Sequence, residues 1–232
     1  MKLDYLSTQT AILIFARTAR EESRCKQLHP DNAVNTDLQQ TLLQKTIDTA
    51  TDSQLPFFVI DETQQYGVSF GERFINAFQS VFARGFDNVI AIGSDCAALT
   101  CQHILKAHNH LEKGVCITGP DNRGGVYLLG LTKDAFNAAK LTCLNWNNNK
   151  TRCEIQGYFT EQGLQQYNLT ILSDINTARD LYSIIKSKYN RFFLILKSLL
   201  QPLHRLTGIS TNVSVNSLFF CHHILRGPPS FA

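Results

Sequence analysis

Apolar residues in this chain fall into two alternating patterns: short unbroken runs, and longer stretches where they recur every three or four positions. Residues 11–16 (AILIFA) form an unbroken run, as a strand buried on both faces requires. Residues 57–60, 89–92, 115–118 and 126–129 repeat it, and 169–172 gives a last strand. Between the runs the period changes. Residues 36–50 place Leu38, Leu42, Leu43, Ile47 and Ala50 on one helical face. Ser69-Phe70-Gly71-Glu72 has the Ser-x-x-Glu form of a capping box. It opens a helix through about Arg84, striped by Phe74, Ala77, Phe78 and Val81 and ended by Gly85. Residues 101–111, a short stretch near 133–140 and a longer one after Lys150 also read as helices. Thr177-Ala178-Arg179-Asp180 caps a helix through about Lys188, and 191–206 reads as an amphipathic helix. Residues 17–35 are polar, mixed in charge, and read as a loop.

Apolar runs alternating with amphipathic helices predict an α/β domain of βαβ units, a mostly parallel central sheet flanked by helices. Residues 1–189 carry this pattern. Residues 190–232 read as an apolar tail that includes 218–225 and ends with Gly227-Pro228-Pro229. Three fates are open to it: packing on the domain, which is the commonest, contact with a partner subunit, or contact with a membrane surface. A homo-oligomer or a tail-mediated partner would follow from the second.

Composition narrows the function classes. With 232 residues and 44% hydrophobic content, the chain can bury a sizeable core. A net charge of +3 without any Lys/Arg-rich run argues against nucleic acid. The seven cysteines are odd in number and lack CxxC spacing, which argues against a disulfide framework or a zinc ribbon and fits a reducing cytoplasm. Residues 1–10 contain Asp4 and no long apolar core, so they do not read as a signal peptide. The apolar stretch 192–200 is interrupted by Lys197 and falls short of the ~20 residues of a membrane span. The expected location is cytoplasmic.

In open α/β sheets, ligands bind beyond the carboxyl ends of the strands. After the third strand that position holds Gly93-Ser94-Asp95-Cys96. Asp95 either holds a hard cation such as Mg²⁺ or Mn²⁺ against phosphate oxygens or caps the following turn. Ser94 donates to a phosphate or ribose, or to the turn, and Gly93 allows close backbone approach. Beyond the fourth strand, Asp121 and the Gly124-Gly125 pair either meet a sugar, phosphate or metal or form a plain tight turn. Arg17, Arg20, Arg24 and Lys26 meet a diphosphate, or form a solvated loop with Glu21 and Glu22. Asp174 is catalytic or shapes a strand-to-helix turn. His108, His110, His222 and His223 lack a third ligand at metal spacing, and Cys96 reads as a buried thiol. No GxGxxG or Walker A motif occurs.

Taken in order, several of these segments resemble one family. They are Ile12-Leu13-Ile14-Phe15-Ala16-Arg17, Gly71-Glu72-Arg73-Phe74, Val89-Ile90-Ala91-Ile92-Gly93-Ser94-Asp95-Cys96, Gly119-Pro120, Gly124-Gly125-Val126-Tyr127-Leu128-Leu129, Trp146 and Asp174-Ile175-Asn176-Thr177. Together they are similar to the GT-A-like nucleotide-diphospho-sugar transferases, a bacterial glycosyltransferase-like group. The resemblance implies a Rossmann-like GT-A fold that binds a nucleotide-sugar and a divalent cation. It places Asp95 at the metal and the Gly124-Gly125 turn near the donor or acceptor; with the strand-end candidates, Phe15, Ala16, Arg17, Arg24, Lys26, Gly93, Ser94, Gly124 and Gly125 would surround the nucleotide-sugar. Asp121 or Asp174 would serve as the base. The chain departs from the family pattern in the first loop, where the Lys-Thr-Arg series is absent. It departs again after Asp95, where Cys96-Ala97-Ala98-Leu99 lacks a second carboxylate, and at Arg123 and Asn147. The expected activity is therefore glycosyl transfer, with nucleotidyl transfer or non-catalytic ligand binding as the alternatives.

Overall fold

The computed structural model describes residues 9–146, 148–187 and 191–200. Asn147, the end of the 191–206 helix, the 218–225 run, one of the seven cysteines (Cys221), His222, His223 and the closing Gly227-Pro228-Pro229 lie outside the described residues, as do residues 1–8.

Six strands form one sheet: β1 (Thr10–Phe15), β2 (Phe57–Ile60), β3 (Asn88–Ile92), β4 (Cys116–Pro120), β5 (Val126–Thr132) and β6 (Gln166–Asn168), in the order β2-β1-β3-β5-β4-β6. β1 pairs in parallel with β2 and β3, and β4 with β6. β5 runs antiparallel to both β3 and β4. The connection from β4 to β5 is too short to hold a crossover, so the chain can only reverse there. Among the described residues the helices are α1 (Ala19–Cys25), α2 (Asn32–Asp52), α3 (Phe70–Phe82), α4 (Cys101–Leu111), α5 (Ala138–Thr142), α6 (Thr151–Glu161), α7 (Ala178–Ser187) and α8 (Arg191–Leu199).

β1 and β3 are apolar along almost their whole length because both sheet faces are covered there. Ala11, Leu13, Val89 and Ala91 pack on one face with Phe74, Phe78, Val81 and Phe159 of α3 and α6. Ile12, Ile14, Ile90 and Ile92 pack on the other with Ala50 of α2 and Ile104 and Ala107 of α4. The alternation follows the two-residue period of a strand. A third cluster joins Leu38 and Leu42 of α2, Ile175, Leu181 of α7 and Leu196 of α8. None of the described helices is long and apolar enough to cross a membrane.

Two expectations are corrected. Residues 17–35 are not a single loop. They contain α1, whose N-cap Thr18 accepts from Glu21 N and whose first turn carries Glu21 and Glu22, favourable at the positive helix end. Only Ala19 of α1 is buried, so no apolar stripe marks it. α2 likewise begins earlier than expected, at Asn32, with Asp31 accepting from Ala33 N and Val34 N. In addition, the last strand is 166–168 rather than 169–172. The β4–β6 ladder ends at Thr118 and Asn168, two residues before Pro120, which has no N–H to donate. Residues 169–172 nevertheless follow β4, through Leu169 N to Thr118 O (2.8 Å) and Leu172 N to Pro120 O (3.2 Å). That path delivers Asp174 to the ends of the central strands.

Candidate active site

A cleft of about 700 Å³ lies across the carboxyl ends of β1 and β3 and the β4–β5 turn. Phe15, Ala16 and Arg17 enter it from β1, and Gly93, Ser94, Asp95 and Cys96 from β3. Asp121 and Gly125 come from the β4–β5 turn, and Asp174 and Asn176 from the stretch before α7.

Lys26 closes one side. Asn35, buried at the start of α2, accepts from Leu28 N and donates to Ser23 O and Lys26 O, which folds the α1–α2 link inward. The Lys26 ammonium then lies 3.1 Å from Glu22 Oε1 and 2.5 Å from Asp95 Oδ1. Arg17 Nη1 reaches the other Glu22 oxygen at 2.9 Å. Burial works against the Glu22 charge, but Lys26 and Arg17 outweigh it and hold this carboxyl below its ordinary value. Thr18 fastens the start of α1 by donating from its N–H and hydroxyl to Glu62 at 2.7 and 2.6 Å.

Three carboxylates meet in this cleft, in different states. Asp121 Oδ1 accepts from Arg123 N and Gly125 N, both at 2.7 Å, so it braces its own turn. Asp95 keeps 33% side-chain exposure at the cleft, yet burial raises its carboxyl and Lys26 only partly offsets this. Its backbone carbonyl accepts from Ile175 N at 2.9 Å, which sets Asp174 beside it. Asp174 Oδ1 is buried without a hydrogen-bond partner. Burial first, then the charges of Asp95 and Asp121, push the Asp174 carboxyl up to about 7. The neighbouring Cys96 thiol is pushed up to about 12, mainly by burial, so it is no thiolate nucleophile at neutral pH.

Of the residues expected around the nucleotide-sugar, Phe15, Ala16, Arg17, Lys26, Gly93, Ser94 and Gly125 line the cleft with Asp95, Asp121 and Asp174. Arg24 and Gly124 are not among the lining residues. Arg24 pairs with Glu21 in solvent at 2.9 Å. Gly124 has φ +89°, and a Cβ there would collide with the carbonyl of Asn149. Its work is to pack the β4–β5 turn against the start of α6, where Arg152 N donates to its carbonyl at 2.9 Å. Gly124→Ala is expected to cost about 2 kcal/mol or more in urea denaturation, because both the backbone conformation and the space exclude a methyl. Asp121 Oδ2 would lie 2.7 Å from a Cβ on Gly125, so that glycine lets the bracing carboxylate approach.

Gln65, Phe70, Arg73, Phe74 and Trp146 also line the cleft. The strand-end rule, applied to β2 as to the other strands, points to the 61–69 link and the first turn of α3 that supply most of them.

The described residues include no group of three or more His, Cys, Asp or Glu spaced to cage a metal ion. They do supply Asp95 and the unbonded Asp174 oxygen in one acidic recess. This fits Mg²⁺ or Mn²⁺, which is commonly held by one or two carboxylates together with substrate phosphates.

Residues 32–148 match the family described as "Uncharacterized protein conserved in bacteria" (DUF2064). Among solved structures, the chain is similar to a "putative nucleotide-diphospho-sugar transferase" from Desulfovibrio desulfuricans G20. Identity is 21% and the TM-score 0.68, over 82% of this chain and 94% of that one. The manganese complex of Rv0371C from Mycobacterium tuberculosis H37Rv aligns at 12% identity and TM-score 0.47, over 78% of this chain and 100% of that one. CMP:2-keto-3-deoxy-manno-octonic acid synthetase complexed with CTP aligns at 10% and 0.43, over 82% and 99%. The first likeness establishes a nucleotide-diphospho-sugar-transferase-like α/β fold. No curated protein matches the chain.

Proposed function

We propose that this chain, which belongs to the DUF2064 family of bacterial proteins, binds a nucleotide-diphosphate sugar with a divalent cation and transfers the sugar to a hydroxyl. The observation that carries the reading is the meeting of Asp95, the partnerless Asp174 oxygen and Lys26 at the strand ends, with Arg17 alongside. Carboxylates alone would repel a diphosphate, whereas an ammonium, a guanidinium and a cation on Asp95 would draw it in. When bound, the cation supplies charge stabilisation to the departing diphosphate.

The chain's own residues would do the rest. Gly93 and Ser94 present backbone and hydroxyl to the donor, and Gly125 keeps the β4–β5 turn close. Arg17 and Lys26 face the diphosphate. Asp121 holds the turn, and Asp174 serves as the base. The acceptor oxygen bonds to the sugar's anomeric carbon as that carbon's bond to the diphosphate oxygen breaks. The nucleotide diphosphate leaves with the electron pair, and the hydroxyl proton passes to Asp174. A carboxyl raised to about 7 suits this exchange near neutral pH.

A thermal-shift panel of nucleotides and nucleotide-sugars, with and without Mn²⁺, tests the reading. A Mn²⁺-dependent rise is expected for the wild type, about 2.7 kcal/mol at ligand near 100 times Kd. In Asp95→Ala it should vanish. The absence of a metal-dependent shift with every nucleotide would overturn the proposal, and a shift preserved in Asp95→Ala would remove Asp95 from it.

A further inference from the structure

The cleft has a second wall with different chemistry. Phe15 meets Phe70 edge-on at 5.7 Å between ring centroids and Phe74 at 5.1 Å, and Trp146 meets Phe74 at 5.1 Å. Phe74 is buried, while Phe15, Phe70 and Trp146 are half-buried and line the cleft. The wall is held in place. The Trp146 indole N–H donates to Leu141 O at 2.9 Å. A Cβ on Gly71 would come within 2.7 Å of Trp146 Cδ1, so the glycine lets the ring lie against α3. Val126, which follows the Gly124-Gly125 turn, packs in the same apolar cluster and joins the wall to the carboxylate end.

The link before α3 carries two exposed apolar side chains. Tyr66 is 61% exposed and Val68 93%. Their backbone is clamped, with Asn76 donating to Tyr66 O (2.9 Å), Val68 N donating to Glu72 (2.7 Å) and Arg73 donating to Val68 O (3.1 Å).

Two of the donors beside the rings are already engaged. The Trp146 N–H is used on Leu141, and the Gln65 amide donates to Ala16 O and Ile60 O. A nucleobase is distinguished by hydrogen bonds to its edge, and a free sugar needs a partner for each hydroxyl. The ring faces of Phe15, Phe70 and Trp146 themselves offer neither, the indole N–H being spent on Leu141. They suit the face of an apolar ring.

We infer that this wall is the acceptor subsite, and that the acceptor is a hydroxyl carried on a flat apolar ring, an aromatic alcohol or phenol. The inference rests on the proposed glycosyl transfer: the wall holds the ring while the hydroxyl reaches Asp174.

Trp146 is the only tryptophan of the chain, so its emission reports on the wall directly. Titration of the full chain with 2-phenylethanol should change that emission saturably, and glycerol should do so at least tenfold more weakly. Phe70→Leu keeps apolar volume without the ring and should weaken 2-phenylethanol about tenfold, with circular dichroism confirming its fold. UDP with Mn²⁺ is followed separately by thermal shift. A UDP shift without a 2-phenylethanol response would overturn the acceptor subsite and leave nucleotide binding standing. Displacement of 2-phenylethanol by UDP would give the wall to the base and also overturn it, as would a Phe70→Leu titration matching the wild type. Failure of both ligands would remove the underlying reading as well.

Discussion

Asp174→Asn is expected to make the protein more stable at pH 8 while removing most of its turnover. Burial, with Asp95 and Asp121 nearby, raises the folded-state carboxyl from 3.8 to about 7. The folded protein therefore holds this proton more tightly than the unfolded chain does. Below the unfolded value both states are protonated, and the stabilising contribution is fully present. It is lost as pH rises from about 4 through about 7, where the folded protein must carry an ionised, largely buried carboxylate with one oxygen lacking a hydrogen-bond partner. The gap corresponds to a loss on the order of 4 kcal/mol in the wild type. Asparagine keeps the shape and drops the charge, so urea denaturation should show no difference near pH 4 and a growing advantage for the variant towards pH 8. An advantage equal at both pH values would contradict the raised carboxyl. Turnover, read with any donor that passes the thermal-shift panel, should fall roughly 10²- to 10⁴-fold, the usual worth of a positioned base. A more stable but inactive variant is what a destabilised functional carboxylate predicts, whereas a purely structural aspartate would lose stability on replacement.

The parts of this site that were legible in the sequence are those set by local pattern. Strands 57–60 and 89–92 and the helix Cys101–Leu111 follow from burial on both faces and from apolar spacing, and they place Asp95 at a strand end. What stayed hidden depends on distant contacts or on a helix without a stripe. α1 buries only Ala19, so nothing distinguished Arg24 from Lys26 as candidates. Once the segment is helical, Glu22 and Lys26, four apart, share a face, and Arg24 lies on the opposite side. Arg24 therefore meets Glu21 in solvent while Lys26 reaches Asp95. The pairing of Asp174 with Asp95 arises from one bond, Ile175 N to Asp95 O, across 80 residues of sequence. Asp121 and Asp174 were equivalent as candidates in the sequence. They separate only because one accepts two backbone N–H groups and the other has an oxygen that accepts none.

Lys26→Met should be the most damaging single change at the cleft, and its repair by a metal ion would test whether Asp95 holds one. The substitution leaves Glu22 and Asp95 facing each other with only Arg17 nearby. Removing one partner from a buried ion pair costs about 3–5 kcal/mol, and the 33% exposure of Asp95 lowers the expected loss to about 2–3 kcal/mol. The loss should shrink in acid, because protonation of Glu22 and Asp95 removes the unpaired charge. In the wild type, Lys26 occupies Asp95 and competes with any metal ion, so Mn²⁺ alone should add little stability until a nucleotide draws the ammonium away. In Lys26→Met the carboxylate is vacant, and Mn²⁺ alone should restore part of the lost stability in urea denaturation. Lys26→Met with Asp95→Asn should recover stability without Mn²⁺ and lose its response to the ion. Equal stabilisation of wild type and Lys26→Met by Mn²⁺ would show that lysine and metal do not share Asp95. A Mn²⁺ response confined to Lys26→Met and absent from the double variant would place both on the same carboxylate, and would make Lys26 the positive charge that keeps this acidic cleft folded before its ligand arrives.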